Sequence, residues 1–341
     1  MMSIVKTSPA IPATPVKSFA AALLAGIENV LGAICAVLLA SLMVIVLTAV
    51  VLRYGFHTGL LGSEELATWL YVALIAFGAP LAINSALAMR LDLLTSRLSP
   101  SGQRVAGIAA DIFTIMSGLI LSFGSARIAT LLGGISPTLG LPEWIRFGFL
   151  GIGGFFMLLV IGLQRINEDK WLDLVIAAVL SAVLYYGVSH VHIETSLDSS
   201  VVLGLIALIG LLVAAPLPHA FLAAAYIAIA FGSTLPEPAV VSSTVTGVSK
   251  FLLLAIPFFL LAGSLLTASG IAQKIVQCAS SLVGHRRAGL AQTTLLTSVL
   301  FSGASGSSVA NAAFSSATFQ PELVKRGYQP AKRTGWPAAE T

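Results

Sequence analysis

Five side chains with hydroxyl or amide groups crowd into FSGASGSSVANAAF, residues 301–314: Ser302, Ser305, Ser307, Ser308 and Asn311. Gly303 and Gly306 stand among them and let the backbone turn where a Cβ would clash. Hydroxyls and carbonyls freed at a broken helix end form a hard-oxygen cluster suited to a small cation such as Na⁺. The opposite helix start offers amide donors to an anion. Asn311 stands one turn into the returning arm, where its amide carbonyl adds a further oxygen.

Other reactive groups are sparse. Glu64 and Glu65 lie at the mouth of an apolar segment, where an interfacial anchor or docking charge competes with proton coupling. Asp111 is the one carboxylate well inside an apolar segment; it either pairs with Arg104 or faces another module. His190, His192, Glu194 and Asp198 read as a solvated loop rather than a metal site. Cys35 and Cys278 are core fillers rather than a bridge. Neither a nucleotide-binding loop nor a nucleic-acid-binding patch occurs, so ATP is not indicated as the energy source.

The elements that position these groups follow from composition. Hydrophobic residues make up 57% of the 341 and charged residues only 9%, and the mean hydropathy is +0.97. A soluble domain carries about 25% charged residues, so this is an all-α polytopic membrane protein. About 20 apolar residues cross the hydrocarbon core. The expected spans are 30–52, 66–89, 105–128, 145–163, 172–188, 201–214, 220–232 and 251–268, about eight in all, with the sixth and seventh short. With the N-terminus cytoplasmic, 14 of the 18 basic residues fall on inner segments and four on outer ones, as the positive-inside rule requires.

Charge also divides the chain. Residues 1–27 read as a flexible cytoplasmic tail with Lys6, Lys17 and three prolines. Residues 28–165 form a four-helix module, and 166–198 a charged linker and connector helix. Residues 199–328 form the start of a second module, and 329–341 a divergent tail. A plain ten-span bundle is the alternative. Within the second module, 288–301 would rise about 21 Å as a helix and 309–319 about 16 Å, each too short to span. Both flanks are basic, so a re-entrant helical hairpin over 288–319 with its tip at 302–308 is expected, covered by protein or lining a cavity. A straight span from 289 to 319, packed through its small residues, is the competing form.

The stretches AIPFFLLAGSLLTASGIAQKIVQ, GLAQTTLLTSVLFSGASGSSVANAA and the closing KRGY resemble the large membrane subunit of TRAP (tripartite ATP-independent periplasmic) transporters. Arg53–Phe56, the Glu64–Leu66 EEL and Phe77-Gly78-Ala79 are similar to that family's small subunit. The resemblance implies fused subunits acting as a secondary transporter in the bacterial inner membrane. A periplasmic substrate-binding protein would deliver an organic acid such as a C4-dicarboxylate or sialic acid. Na⁺ would be the coupling ion, with no other metal or cofactor. Ser302, Gly303, Ser305, Gly306, Ser307, Ser308 and Asn311 then map onto the first hairpin tip, for sodium and substrate. The implied partners are that binding protein, the organic acid and the lipid bilayer, with no nucleic acid.

Two departures stand out. Ala88-Met89-Arg90-Leu91-Asp92 lacks the histidine usual before this element. The family's large subunit carries two inverted hairpins and this sequence ends after one. The expectation is therefore a truncated chain that does not transport alone, with a second chain supplying the missing repeat, or a non-transporting structural subunit. A channel is a further rival. Gly303-Ala304-Ser305-Gly306 also matches the GxSG of rhomboid-type serine proteases, but His57, His190, His192, His219 and His285 all precede Ser305. With no base on a later span the chain is expected not to be an enzyme.

Overall fold

The computed structural model describes residues 15–84, 92–131, 133–188, 190, 191, 193, 198–232, 237–285, 289–305, 315 and 319. Twelve α-helices carry almost all of them. In chain order these are α1 (Pro15–Gly55), α2 (Ser63–Asn84), α3 (Asp92–Thr95), α4 (Pro100–Leu131), α5 (Trp144–Asn167) and α6 (Trp171–Val188). After them come α7 (Ser199–Leu212), α8 (Leu217–Ile227), α9 (Glu237–Val248), α10 (Ala255–Ala268), α11 (Ile271–Val283) and α12 (Gly289–Ser305). The only pairing of the strand type among the described residues is an isolated bridge, Ile135 to Pro142. The chain is thus an all-α membrane protein.

Five helices, α1, α2, α4, α5 and α6, are long and apolar enough to cross a bilayer. A sixth crossing results if the bent pair Pro238–Val248 and Phe251–Ala262 counts as one. About eight spans were expected from the sequence, and the difference lies in three places. The segments 201–214 and 220–232 fold as α-helices of 14 and 11 residues, the second extended to Phe231 by a 3-10 turn. Those lengths rise only about 21 and 16 Å. They fold back on each other across the turn at Val213–Pro216, and Gly210 lies so close to Ala220 that a Cβ on it would be 2.8 Å from the alanine's. Between the expected spans 220–232 and 251–268 lies a further helix, α9. It meets the next helical segment at a 59° bend, through a 3-10 turn at Phe251–Leu254.

The N-terminal expectation of a flexible tail over 1–27 also needs correction, because the described residues from Pro15 onward are already helical. Proline suits a first helical turn, where its missing N–H has no acceptor to satisfy, and the alanines and leucines that follow favour helix. At 41 residues, α1 is about 62 Å long, twice the hydrocarbon thickness.

The residues group into two compact units: residues 1–37, 73–135 and 141–243, and residues 38–72, 136–140 and 244–341. In the first, α4 packs along α5, α6 and α8. Glycines permit the closest approach: Gly154 has Gly118 O 2.8 Å from where its Cβ would be, and Gly153 has Ala76 O at 2.3 Å. Around them Ile83, Met157 and Val160 pack with Leu24, Ile27, Ala79 and Leu121. Ile115, Ile161 and Ala177 form a second cluster. At the end of α6, Tyr185 stacks on Tyr226 of α8 with ring centroids 5.1 Å apart, and the Tyr226 hydroxyl donates to Tyr185 O at 3.2 Å.

In the second unit, α12 packs on α10 and α11. The start of α2 organises the turn at 136–140. The Glu65 carboxylate accepts hydrogen bonds from Ser136 Oγ (2.6 Å), Thr138 N (3.1 Å) and Thr138 Oγ1. Gly62 adopts φ +78° beside Thr138, a left-handed conformation natural to glycine. Its neighbour Glu64 pairs with Arg53 at 3.0 Å, both side chains exposed. The two acidic residues thus tie the start of α2 to the 136–140 turn and to the end of α1.

Candidate functional site

The serine-rich stretch begins on α12. One face of that helix, Gly289, Thr293, Thr297 and Phe301, repeats every fourth residue and is buried, as a 3.6-residue period requires. Phe301 packs on Val276 of α11. Thr293 Oγ1 bonds back to Gly289 O at 2.8 Å. Thr297 Oγ1 is buried with no hydrogen-bond partner among the described residues. This threonine line was not singled out in the sequence, although its four-residue spacing is legible there.

The helix runs on to Ser305, so Ser302, Gly303 and Ser305 lie in its last turns rather than within the turn itself. Ser302 is exposed and its hydroxyl donates to Val299 O at 2.9 Å. Such i−3 bonding is the usual way a serine near a helix end satisfies itself. Gly306, Ser307, Ser308 and Asn311 lie outside the described residues.

One contact decides between the two forms left open for this region. Ser298 Oγ and Ser315 Oγ are 2.9 Å apart. In a continuous helix, 17 residues would separate them by about 25 Å. The chain therefore doubles back between them, and the straight span 289–319 is excluded. Cysteines placed at both positions (Ser298→Cys with Ser315→Cys, with Cys35 and Cys278 replaced by serine) are expected to form a disulfide under mild oxidation. Peptide mapping checks this, and an uncrosslinked pair would contradict the hairpin.

A second constellation lies at the Arg165 end of the α4–α5–α6 bundle. Asp111, for which a pair with Arg104 was one of two alternatives, instead receives both forks of Arg165: Nε to Oδ2 at 2.7 Å and Nη2 to Oδ1 at 2.6 Å. Arg104 reaches across to Asp173 at the start of α6, with Nε and Nη2 bonded to Oδ1 at 2.9 and 2.6 Å. The reason is geometric. Residues 104 and 111 are two helical turns apart, about 10 Å along one face, beyond direct pairing. The antiparallel neighbour brings Arg165 alongside instead. That spacing was the signal available in the sequence.

Between α5 and α6, Glu168 accepts from Arg165 Nη1 at 2.7 Å and from Lys170 Nζ at 2.8 Å. Burial alone would raise the Glu168 carboxyl, but the Lys170 hydrogen bond and the Arg165 charge outweigh it and hold it below the ordinary range. Its contribution to stability is therefore full at neutral pH and is lost as pH falls through the depressed carboxylate range.

Comparison with known proteins matches two stretches of the chain. Residues 42–170 match the DctQ component of the tripartite ATP-independent periplasmic transporters, and residues 201–340 match the DctM component. The chain belongs to the TRAP transporter family. It joins the small and large membrane components in one polypeptide, with α6 in the interval between the two matched regions. It is 28% identical over 278 residues to the isethionate TRAP transporter permease protein DctMQ of Oleidesulfovibrio alaskensis, covering 78% of this chain and 42% of that one. It is 27% identical over 290 residues to the sialic acid TRAP transporter permease protein SiaT of Haemophilus influenzae, covering 79% and 46%. Over 94 residues it is 36% identical to the C4-dicarboxylate TRAP transporter large permease protein DctM of Rhodobacter capsulatus, covering 28% and 21%. This TRAP chain spans less than half the length of the two fused relatives. These three relatives are named as transporter permeases.

Proposed function

We propose that this chain forms the membrane part of a Na⁺-coupled secondary transporter. A periplasmic substrate-binding protein supplies it with an organic acid at the inner membrane, and its N-terminus is cytoplasmic. The reversal of the chain between Ser298 and Ser315 carries this reading, because the serine- and glycine-rich stretch of the sequence lies between those two residues. Backbone polar groups at such a tip need partners that lipid cannot supply. Bound Na⁺ satisfies the carbonyls and hydroxyls there. Ser302, Gly303, Ser305, Gly306, Ser307, Ser308 and Asn311 are assigned to that site. The orphaned Thr297 hydroxyl adds an oxygen on the buried face of the same helix. The relatives transport isethionate, sialic acid and C4-dicarboxylates by name, all small organic anions, which supports that substrate class.

The test is uptake into proteoliposomes containing this chain within its complete transporter, together with the binding protein and an imposed Na⁺ gradient. Uptake is expected to follow the gradient and the binding protein. Ser305→Ala with Ser307→Ala and Asn311→Ala is expected to lower uptake at least about tenfold, since each lost ligand to a charged ion is worth roughly 1.5–3 kcal/mol. Flux that ignores both Na⁺ and the binding protein would instead identify a channel.

A further inference from the structure

The two ends of α6 fix how much of it lies in hydrocarbon. Trp171 opens the helix with its side chain 58% exposed, and Tyr186 stands near the other end at 66%. Between them Leu172, Val175, Val179 and Val183 form an exposed apolar stripe, while Asp173 is buried against Arg104. Amphipathic rings exposed at the ends of a span sit at the headgroup level. From residue 171 to residue 186 the helix rises about 22 Å, against about 30 Å for a typical hydrocarbon core. Tilt would only shorten the depth that α6 covers.

The elements beside α6 repeat this length. The 14 residues of α7 rise about 21 Å, and α8 packs back along them. At the Tyr186 end the three close together: Ser199 Oγ donates to Phe231 O at 3.0 Å, Ile193 N donates to Ala230 O at 2.8 Å, and Tyr185 stacks on Tyr226. At the opposite end Asp173 ties α6 to Arg104, and Val213, just past α7, shares a groove with Gly102 and Val105 of the same α4 turn. Longer helices stand in the same unit. From Arg104 to Arg127 α4 rises about 34 Å, and from Arg146 to Arg165 α5 rises about 28 Å. Both suit a full bilayer.

A short span is accommodated by snorkelling of long basic side chains, by association with another protein surface, or by thinning of the bilayer. Snorkelling has no means at the Tyr186 end, because the sequence holds no lysine or arginine from Trp171 to Ser249. At the other end Arg104 is held by Asp173 and Lys170 by Glu168. The exposed stripe of α6 carries only apolar side chains between its two rings, as a lipid-facing surface does.

We propose that α6 and α7 are covered by lipid and thin the bilayer against them to about 22 Å, roughly 8 Å less than a typical hydrocarbon core. The surface fits an annulus of short or disordered acyl chains, and the apolar barrier is thinnest there.

Spin labelling of the purified chain in dioleoylphosphatidylcholine bilayers tests this. Leu172→Cys, Val179→Cys, Tyr186→Cys and, on α5, Phe155→Cys are labelled singly in a chain carrying Cys35→Ser and Cys278→Ser. Collision with oxygen and with a water-soluble nickel chelate reads the depth of each label. Leu172→Cys and Tyr186→Cys are expected at headgroup level on opposite faces of the bilayer. Val179→Cys is expected about 11 Å below the headgroups and Phe155→Cys about 15 Å. Should Tyr186→Cys fail to fold, Leu184→Cys reads the same boundary about 3 Å deeper. A Tyr186 label well inside the hydrocarbon, or a Val179 label as deep as that at Phe155, would reveal a flat bilayer and overturn the proposal. A Val179 label shielded from oxygen would reveal a protein neighbour in place of lipid and overturn it as well.

Discussion

Gly153→Ala is expected to prevent normal assembly of the α2–α5 contact, with a large fall in thermal stability and in the yield of monodisperse protein. The added methyl would sit 2.3 Å from Ala76 O and 2.8 Å from Ala76 C. Those atoms belong to the backbone of α2 and cannot rotate aside as a side chain would. Overpacking a core costs about 1–3 kcal/mol and more where the backbone must shift, so an effect of about 3 kcal/mol is expected. In a membrane, where close van der Waals contact drives helix association, separating two helices also loses the contacts on either side. Gly148→Ala supplies the control, because nothing lies within 4 Å of its Cβ position. Thermal unfolding of both variants in detergent, followed by size-exclusion chromatography, measures the difference. Equal stability of the two variants would show that the α2–α5 approach is looser than described.

Asp111→Ala is expected to be comparably damaging for an electrostatic reason. It strips both forks from Arg165, whose side chain is only 17% exposed, while Asp111 itself is 6% exposed. Removing one partner of a buried pair leaves an uncompensated charge and costs about 3–5 kcal/mol. Glu168 remains as a second partner for Arg165, which places the expected loss near the lower end of that range. The double variant Asp111→Leu with Arg165→Met should recover most of the stability, because replacing a whole buried pair by apolar side chains is often neutral or better. Arg104→Ala should do less harm, since the Arg104 side chain is 60% exposed and its removal admits water to the Asp173 carboxylate, now 10% exposed, at the end of the bundle. Unfolding curves of the four proteins check the ranking. A double variant as weak as Asp111→Ala would mean that the charge itself, rather than its orphaning, is required.

Much of this protein is legible in its residues. The membrane class follows from 9% charged residues, because so few charges cannot cover a water-facing surface. The long spans follow from uninterrupted apolar length. The serine and glycine cluster at 302–308 is visible as polarity in an apolar tract, and the shortness of its flanks already argues for a hairpin. The connector helix stands out because a charged run, 164–170, precedes it. The number of crossings is less legible, because one-dimensional length does not distinguish a short span from a packed half-helix. The segments α7 and α8 are apolar enough for either, and their mutual contact at Gly210 and Ala220 settles that they fold back on each other.

Composition, period and charge therefore dictate that this chain is helical, lies in a membrane and places oxygen-rich residues where a helix breaks. These are local properties, set by each residue's transfer free energy and backbone freedom. Only tertiary structure could decide that Asp111 answers to Arg165 and Arg104 to Asp173. It alone brought Ser298 beside Ser315, and it alone made Gly153 indispensable through Ala76. Each of these depends on which distant segment passes alongside, and no local preference encodes a neighbour tens of residues away.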